Sequence, residues 1–371
     1  MSRILVVGAG LSGSTVANVL SRDPGNSILV VDRRDHIAGN CFDYRDGNGI
    51  MVHRYGSHIL HTSDGDVWNY LRQFTAFNDY EHRVVAVIGG KEVPLPFNYD
   101  SMHMVFEREL ADRMERKLGE RFPEGTKIPI LELLRTDDPD LRLLAEFIHE
   151  NVFLHYTRKQ WGRDPSEIDG AVTARVPVML SRDDRYFQDP FQGIPLQGYT
   201  EMVRRMLDRP NVEVRLGIDA RDLELDGYDE VYYTGAVDEL MDFELGVLPY
   251  RSVRFEFETH DLEHYQSHAA VNHPNDHDYT RVHEYKYYLD DRSERTTIAM
   301  EYSEDFIPGE NEPYYPVVDE GSRRLYDDYV ELLHRRHPNV RLLGRLGDFR
   351  YYDMDKAVGR ALSLARSRDS S

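Results

Sequence analysis

The sequence predicts an α/β fold with α+β elements: a doubly wound sheet carrying an inserted helical subdomain and an antiparallel β-sheet. Three observations predict it. A glycine-rich turn stands between an apolar run and a helical segment near the N-terminus, a helical hydrophobic period runs from Met102 to Val152, and alternation returns at Val253, Phe255 and Phe257.

The first element is an apolar β-run over residues 3–7, followed by Gly8-Ala9-Gly10-Leu11-Ser12-Gly13 and a helix over 11–22. Gly8 permits the tight turn, Gly10 lets the backbone approach a pyrophosphate, and Gly13 lets helix and strand pack closely. The helix start aims unpaired N–H groups and a partial positive charge at that phosphate. A second strand, 28–32, ends in Asp32, 19 residues past Gly13, where a carboxylate can accept from a ribose diol. A lone glycine fingerprint is weak. Strand, helix and acid together make this one a Rossmann-like dinucleotide site, although the motif does not choose between NAD and FAD.

A chain of 371 residues is long for one core, so two or three subdomains are expected. Lysine and arginine number 45 against 66 acids, a net charge of −21 that repels nucleic acid and anionic membrane alike. An anionic ligand therefore needs a local arginine cluster. The one cysteine, Cys41, excludes an intramolecular disulfide and a cysteine metal site, and fits a reducing cytoplasm. The N-terminal apolar run is too short for a signal peptide, and no later stretch approaches a membrane span.

After Asp32 comes a polar, glycine-containing loop, Asp35 to Asn40, at the carboxyl end of the second strand, where ligands sit in open α/β sheets. Residues 53–62 hold His53, His58 and His61. Without a helical i, i+4 pair or an interleaved carboxylate, a cofactor-facing loop is the better reading than a metal site. Residues 83–96 read as a hairpin around Gly89-Gly90. From Ser101, Met102, Val105, Phe106, Leu110, Met114 and Leu118 share one helical face. Asp138 caps a further helix with Pro139 at its first position, and Leu141, Leu144, Ala145, Ile148 and Val152 form its stripe.

Residues 164–196 read as a long connector, and such loops tend to be functional. Thr200 is the expected cap of a short helix leading to strands at Val212–Leu216 and Val231–Ala236, which return the chain to the nucleotide sheet. Residues 250–305 suit an antiparallel sheet. A helix over Leu325–Leu333, a strand over Val340–Leu343, a Gly344-Arg345 turn and a terminal helix from Met354 close the chain. The expected domains are 1–80, 197–245 and 314–371 for the dinucleotide; 98–163 for the helical insert; and 81–97, 164–196 and 246–313 for the substrate sheet, with a mobile loop near 165–180.

A fingerprint at one end and a strand, Gly-Arg turn and helix at the other suggest a flavoprotein. A helix start at Met354 would stabilise an anionic reduced flavin by about 1 kcal/mol. The ordered set Asp35–Asn40, Tyr55–Thr62, Thr157–Gly162, Tyr186-Phe187 with Phe191–Pro195, Tyr279-Thr280-Arg281, Pro313–Pro316, Gly344–Gly347 and Tyr351–Asp355 closely resembles the prokaryotic UDP-galactopyranose mutase family.

The resemblance implies an FAD-dependent isomerase, active with reduced flavin, that interconverts UDP-galactopyranose and UDP-galactofuranose to supply galactofuranose for cell-surface glycans. In that family N5 of the reduced flavin attacks the anomeric carbon and expels UDP, and the opened sugar recloses as a furanose. It further implies a homodimer.

By resemblance Arg175 and Arg281 grip the diphosphate, as this acidic chain requires, and His61 and Arg345 lie by the flavin. The cofactor set is Gly8, Gly10, Leu11, Ser12, Gly13, Asp32, Arg33, Gly39, Asn40, Tyr55, Gly56, His58, Ile59, Gly344, Arg345, Tyr352, Asp353 and Met354. Phe153 and Tyr156 would frame the uracil, and Thr157 and Trp161 the nucleotide sugar. Tyr186, Tyr315 and Tyr351 would offer hydroxyls to the diphosphate, and Phe187, Asn272 and His82 complete the substrate set. Val152, Ala38, Ser57 and Leu60 depart from the family's usual residues, and the stretch from Asn272 to Arg281 is one residue short. Two other readings are a flavin oxidoreductase of the amine oxidase kind and a non-catalytic flavin- or UDP-sugar-binding module. The arginines and the tyrosine set, which suit a diphosphate and not a small amine, speak against the first.

Overall fold

The structure, a computed structural model, describes residues 2–164 and 177–368. The chain forms two compact units: Met1–Tyr80, Asp189–Ser252 and Phe306–Ser371 make the first, and Glu81–Gln188 with Val253–Asp305 the second.

The first unit is built on a five-stranded parallel sheet, in the order Val212–Leu216, β2 (Asn26–Asp32), β1 (Ser2–Val7), Glu230–Tyr233 and Val340–Leu342. The central strands are apolar and β-branched because both faces are covered: Ile4, Val6, Val30 and Val31 are fully buried. On one face α1 (Leu11–Leu20) packs its Val16 and Leu20 with Tyr199 and Met206 of helix Tyr199–Leu207. Val358 and Leu362 of the terminal helix Met354–Arg368 complete that layer. On the other, Leu5, Val31 and Val231 meet Tyr329 and Leu333 of helix Glu320–Arg336. Helices on both faces make the sheet doubly wound.

Helix Tyr199–Leu207 corrects the sequence reading at its cap. Its N-cap is Gly198, at φ 86°, and the first N–H groups are satisfied by the distant Asp43 carboxylate, which accepts from Tyr199 and Thr200. The Thr200 hydroxyl bonds the Asp43 backbone instead, at 2.9 Å both ways.

In the second unit a sheet runs in the order Tyr250–His260, Thr296–Asp305, Arg281–Glu284, Ala270–Asn272, Val84–Ile88 and Lys91–Leu95. It is mixed, not wholly antiparallel, because Ala270–Asn272 pairs in parallel with Val84–Ala86. The hairpin turns at Gly89-Gly90, both at positive φ. The helical period from Met102 is split at the extended Phe106 and Glu107 into Tyr99–Val105 and Arg108–Arg121. Helix Pro139–Ile148 starts at Asp138, whose side chain accepts from Asp140 and Leu141, then passes through a π-helical segment, His149–Leu154, into His155–Trp161.

These helices share one core with the sheet: Leu118, Leu144 and Phe153 pack with Leu95, Phe97 and Ala270. The sequence reading had made the helices a separate subdomain. Residues 189–196, expected with the substrate sheet, lie in the first unit, because Phe191–Gly193 pairs antiparallel with Leu60–Thr62. Among the described residues no helix is long and apolar enough to cross a membrane.

Candidate functional site

At the carboxyl ends of the parallel strands in the first unit lies an open cleft. Gly8, Gly10, Leu11, Ser12 and Gly13 form one wall. Gly8 sits at φ 101°, and a Cβ on Gly13 would overlap the Gly8 carbonyl oxygen, so both positions require glycine. Helix α1 begins with no side-chain cap, which leaves its first turn to a phosphate.

Asp32 lines the cleft beside this turn. Its oxygens accept from the N–H of Ala9 (2.8 Å) and of Arg34 (3.0 Å), tying the glycine turn to the end of β2. Each oxygen keeps a further lone pair, which suits ribose hydroxyls. Arg33 bridges Glu239 at 2.8 Å and Glu312 at 2.5 Å, and Arg34 donates to Asn40 at 2.9 Å.

Gly39, Asn40, His58, Gly344, Arg345, Tyr352, Asp353 and Met354 also line this cleft. Tyr55, Gly56 and Ile59 do not; they stand one layer behind. The Tyr55 hydroxyl bonds His36 at 2.7 Å, and Arg34 lies 4.5 Å over its ring. The Gly56 carbonyl accepts from His58 Nδ1 at 2.7 Å, which fixes that tautomer, and Ile59 is buried. Sequence reasoning missed Ile218, Asp219, Glu239 and Glu312, which lie outside every motif; Thr234 and Tyr314 fall within stretches it singled out, Val231–Ala236 and Pro313–Pro316, without being assigned to the cofactor.

The terminal helix starts at the cleft, with Met354 and Ala357 in its wall. The buried Cys41 lies 3.5 Å from the Met354 sulfur, and burial pushes its thiol up to about 12. Arg345 donates to the Tyr352 carbonyl at 3.0 Å. Its guanidinium carbon lies 5.0 Å from the ring of Tyr315 and 5.7 Å from that of Tyr351, two rings stacked at 5.2 Å. His61 is held by Asp189, which accepts from Nδ1 at 2.8 Å and from the Ser63 hydroxyl at 2.5 Å. A glycine cradle, an uncapped helix start, a carboxylate at the ribose distance and a second helix start fit a dinucleotide with a redox-active ring. Among the described residues no group of His, Cys, Asp or Glu could hold a metal.

In the second unit the strand register sets Asn272 directly opposite Arg281. Asn272 Oδ1 is buried and, among the described residues, has no hydrogen-bond partner, so it is a polar atom suited to a ligand. The Arg281 guanidinium carbon lies 5.9 Å from the Tyr156 ring, and its Nε is 3.2 Å from the carboxylate of Glu301. Glu301 also accepts from His283 Nε2 at 2.8 Å.

The turn between Asn272 and Arg281 is tied to the helical layer. Lys159 donates to the carbonyls of His273 (2.8 Å) and Asp276 (3.0 Å), and Asn275 to that of Asn151 (2.9 Å). Burial, with His277 and Lys159 nearby, holds His273 down at about 4. Tyr156 and Trp161 are half-buried, Thr157 is buried, and Phe153 turns into the core at 4 % exposure, where it does not present an open face for a base. His82 sits among the rings of Tyr186, Phe187 and Tyr288, at 5.8, 5.9 and 6.5 Å. Arg175 and most of the loop near 165–180 lie outside the described residues.

The family described as UDP-galactopyranose mutase matches residues 151–351, and the NAD(P)-binding Rossmann-like domain matches residues 6–74. A probable UDP-galactopyranose mutase of Klebsiella pneumoniae is 36% identical over 98% of this chain and 93% of its own length. A dTDP-fucopyranose mutase of Escherichia coli is 33% identical over 99% and 98%. A crystal structure of reduced UDP-galactopyranose mutase shares the fold at TM-score 0.74 and 16% identity, covering 100% of this chain and 94% of that one. The chain belongs to the UDP-galactopyranose mutase family.

Proposed function

We propose that the chain is a mutase that interconverts UDP-galactopyranose and UDP-galactofuranose on a bound FAD in its reduced state. The observation that carries this reading is the family match over residues 151–351, which spans the strands bearing Asn272 and Arg281 and the turn bearing Arg345.

Gly8 to Gly13 and Asp32 would hold the pyrophosphate and ribose of the dinucleotide, and the start of the terminal helix with Arg345 would serve its ring. When bound and reduced, the flavin supplies a nucleophilic nitrogen for the anomeric carbon. The protein's part is electrostatic and positional. Arg345, braced by the faces of Tyr315 and Tyr351, favours an electron-rich ring. The carboxylate of Asp189 keeps the Nδ1 proton of His61 in place and directs Nε2 the other way.

In the second unit Arg281, with Arg175, neutralises the diphosphate and the charge that grows on departing UDP, and the Asn272 carbonyl oxygen accepts from a sugar hydroxyl. The protein acts in the cytoplasm as a homodimer and supplies furanose for cell-surface glycans.

The test is conversion of UDP-galactofuranose to UDP-galactopyranose by the chemically reduced holoprotein, with dTDP-fucopyranose offered in parallel. Turnover of the UDP-sugar supports the reading. Preference for the dTDP-sugar would reassign the substrate. Oxidation of NADH or an amine, with both sugars untouched, would end the mutase reading.

A further inference from the structure

We propose that Glu301 is a positioning residue for the nucleoside diphosphate, gripping Arg281 by its Nε edge and tempering its charge so that the nucleotide is released as readily as it is held. This rests on the assignment of Arg281 to the diphosphate.

Antiparallel register places Arg281 directly opposite Glu301. One carboxylate oxygen stands 3.2 Å from Arg281 Nε, and the other accepts from His283 Nε2 at 2.8 Å. Thr280 fixes the same residue, donating its N–H to the Glu301 carbonyl at 2.8 Å. The side chain of Glu301 is 6 % exposed.

Burial alone would push this carboxyl up. Arg281, followed by His283 and Thr280, outweighs it and holds the group down at about 2, so it is anionic at any working pH. Burial lowers His283, the neutral imidazole whose Nε2 proton is donated to Glu301. The cluster carries one positive and one negative charge, and the cation is the half that meets the ligand.

A guanidinium offers two distinct edges. The carboxylate stands on the Nε side as an ion pair at 3.2 Å, and the Tyr156 ring lies 5.9 Å from the guanidinium carbon. The Nη1/Nη2 edge is the one whose geometry matches a diphosphate. The carboxylate also sets a negative charge within a few ångströms of the phosphates, in a site where charges are weakly screened. An uncompensated arginine would hold the nucleotide more tightly at every stage, and turnover would then be limited by release of the nucleotide sugar.

Holoprotein carrying Glu301→Gln is titrated with UDP by calorimetry and assayed for turnover. UDP should bind about tenfold tighter while kcat falls at least tenfold, so that KM and kcat drop together. Glu301→Asp keeps the charge but withdraws the grip by one methylene; it should lower kcat with UDP affinity within threefold of the parent. A purely structural role would lower the melting temperature of both variants without this split. The proposal is overturned if both variants bind UDP and turn over within threefold of the parent. Absence of UDP binding in the parent would overturn the diphosphate assignment itself, a different result.

Discussion

At Arg281 a strand register and a charge pair converge on one side chain, and its loss has a defined signature. Arg281→Ala removes charge-assisted bonds worth roughly 1.5–3 kcal/mol, so UDP should bind about ten- to a hundredfold more weakly. FAD should stay bound, because Arg281 is outside the cofactor cleft; normal UDP affinity in the variant would refute the role. Asp238 offers a second test, on stability. It is fully buried, one oxygen accepts from Leu248 N–H at 2.8 Å, and the other has no partner among the described residues. Burial raises its carboxyl from 3.8 to about 6. A group raised in the folded state stabilises fully below its unfolded value, and that contribution is lost as pH rises through 6. Asp238→Asn, which keeps an acceptor for Leu248, should therefore be more stable than the parent at pH 7.5, by at most about 3 kcal/mol. The two should converge at pH 4. Parallel denaturation curves across that range would show that Asp238 is not the titrating group.

At the scale of elements, the turn from β1 to α1 tolerates no side chain at Gly13. Gly13→Ala should cost about 1–3 kcal/mol by forcing helix and strand apart, and the purified protein should lack flavin absorbance. A yellow variant with unchanged affinity would contradict the cradle geometry. Lys159→Ala should free the turn from His273 to Thr280, seen as faster hydrogen exchange there with little change elsewhere.

Much of this was legible beforehand where local chemistry decides the outcome: the glycine turn, the Gly89-Gly90 hairpin, the Asp138 cap and the terminal helix from Met354. What escaped depends on partners far along the chain. Asp43 took over the capping of Tyr199–Leu207, and Glu239, on the short helix Val237–Leu240, and Glu312 reached the cleft from stretches without a motif. Glu301 became the partner of Arg281 through a pairing register that alternation alone does not specify. The break at Phe106-Glu107 and the π-segment at His149–Leu154 interrupt apolar periods that themselves run on without a signal.

For the whole molecule, a net charge of −21 surrounds ligands that are themselves anions. Steering is then replaced by repulsion, so the association rate of UDP should rise with ionic strength until the Debye length falls to about 10 Å, near 0.1 M salt. A rate that falls with salt would mean that a local cationic patch dominates the field. The connectivity also has a consequence for biosynthesis. The chain passes between its two units after residues 80, 188, 252 and 305, and α1 is covered by the final helix, Met354–Arg368. A helix made early in the chain is thus covered by one made more than 300 residues later. A nascent or truncated polypeptide lacking Met354–Arg368 leaves the apolar side of α1 facing water, a surface open to wrong partners.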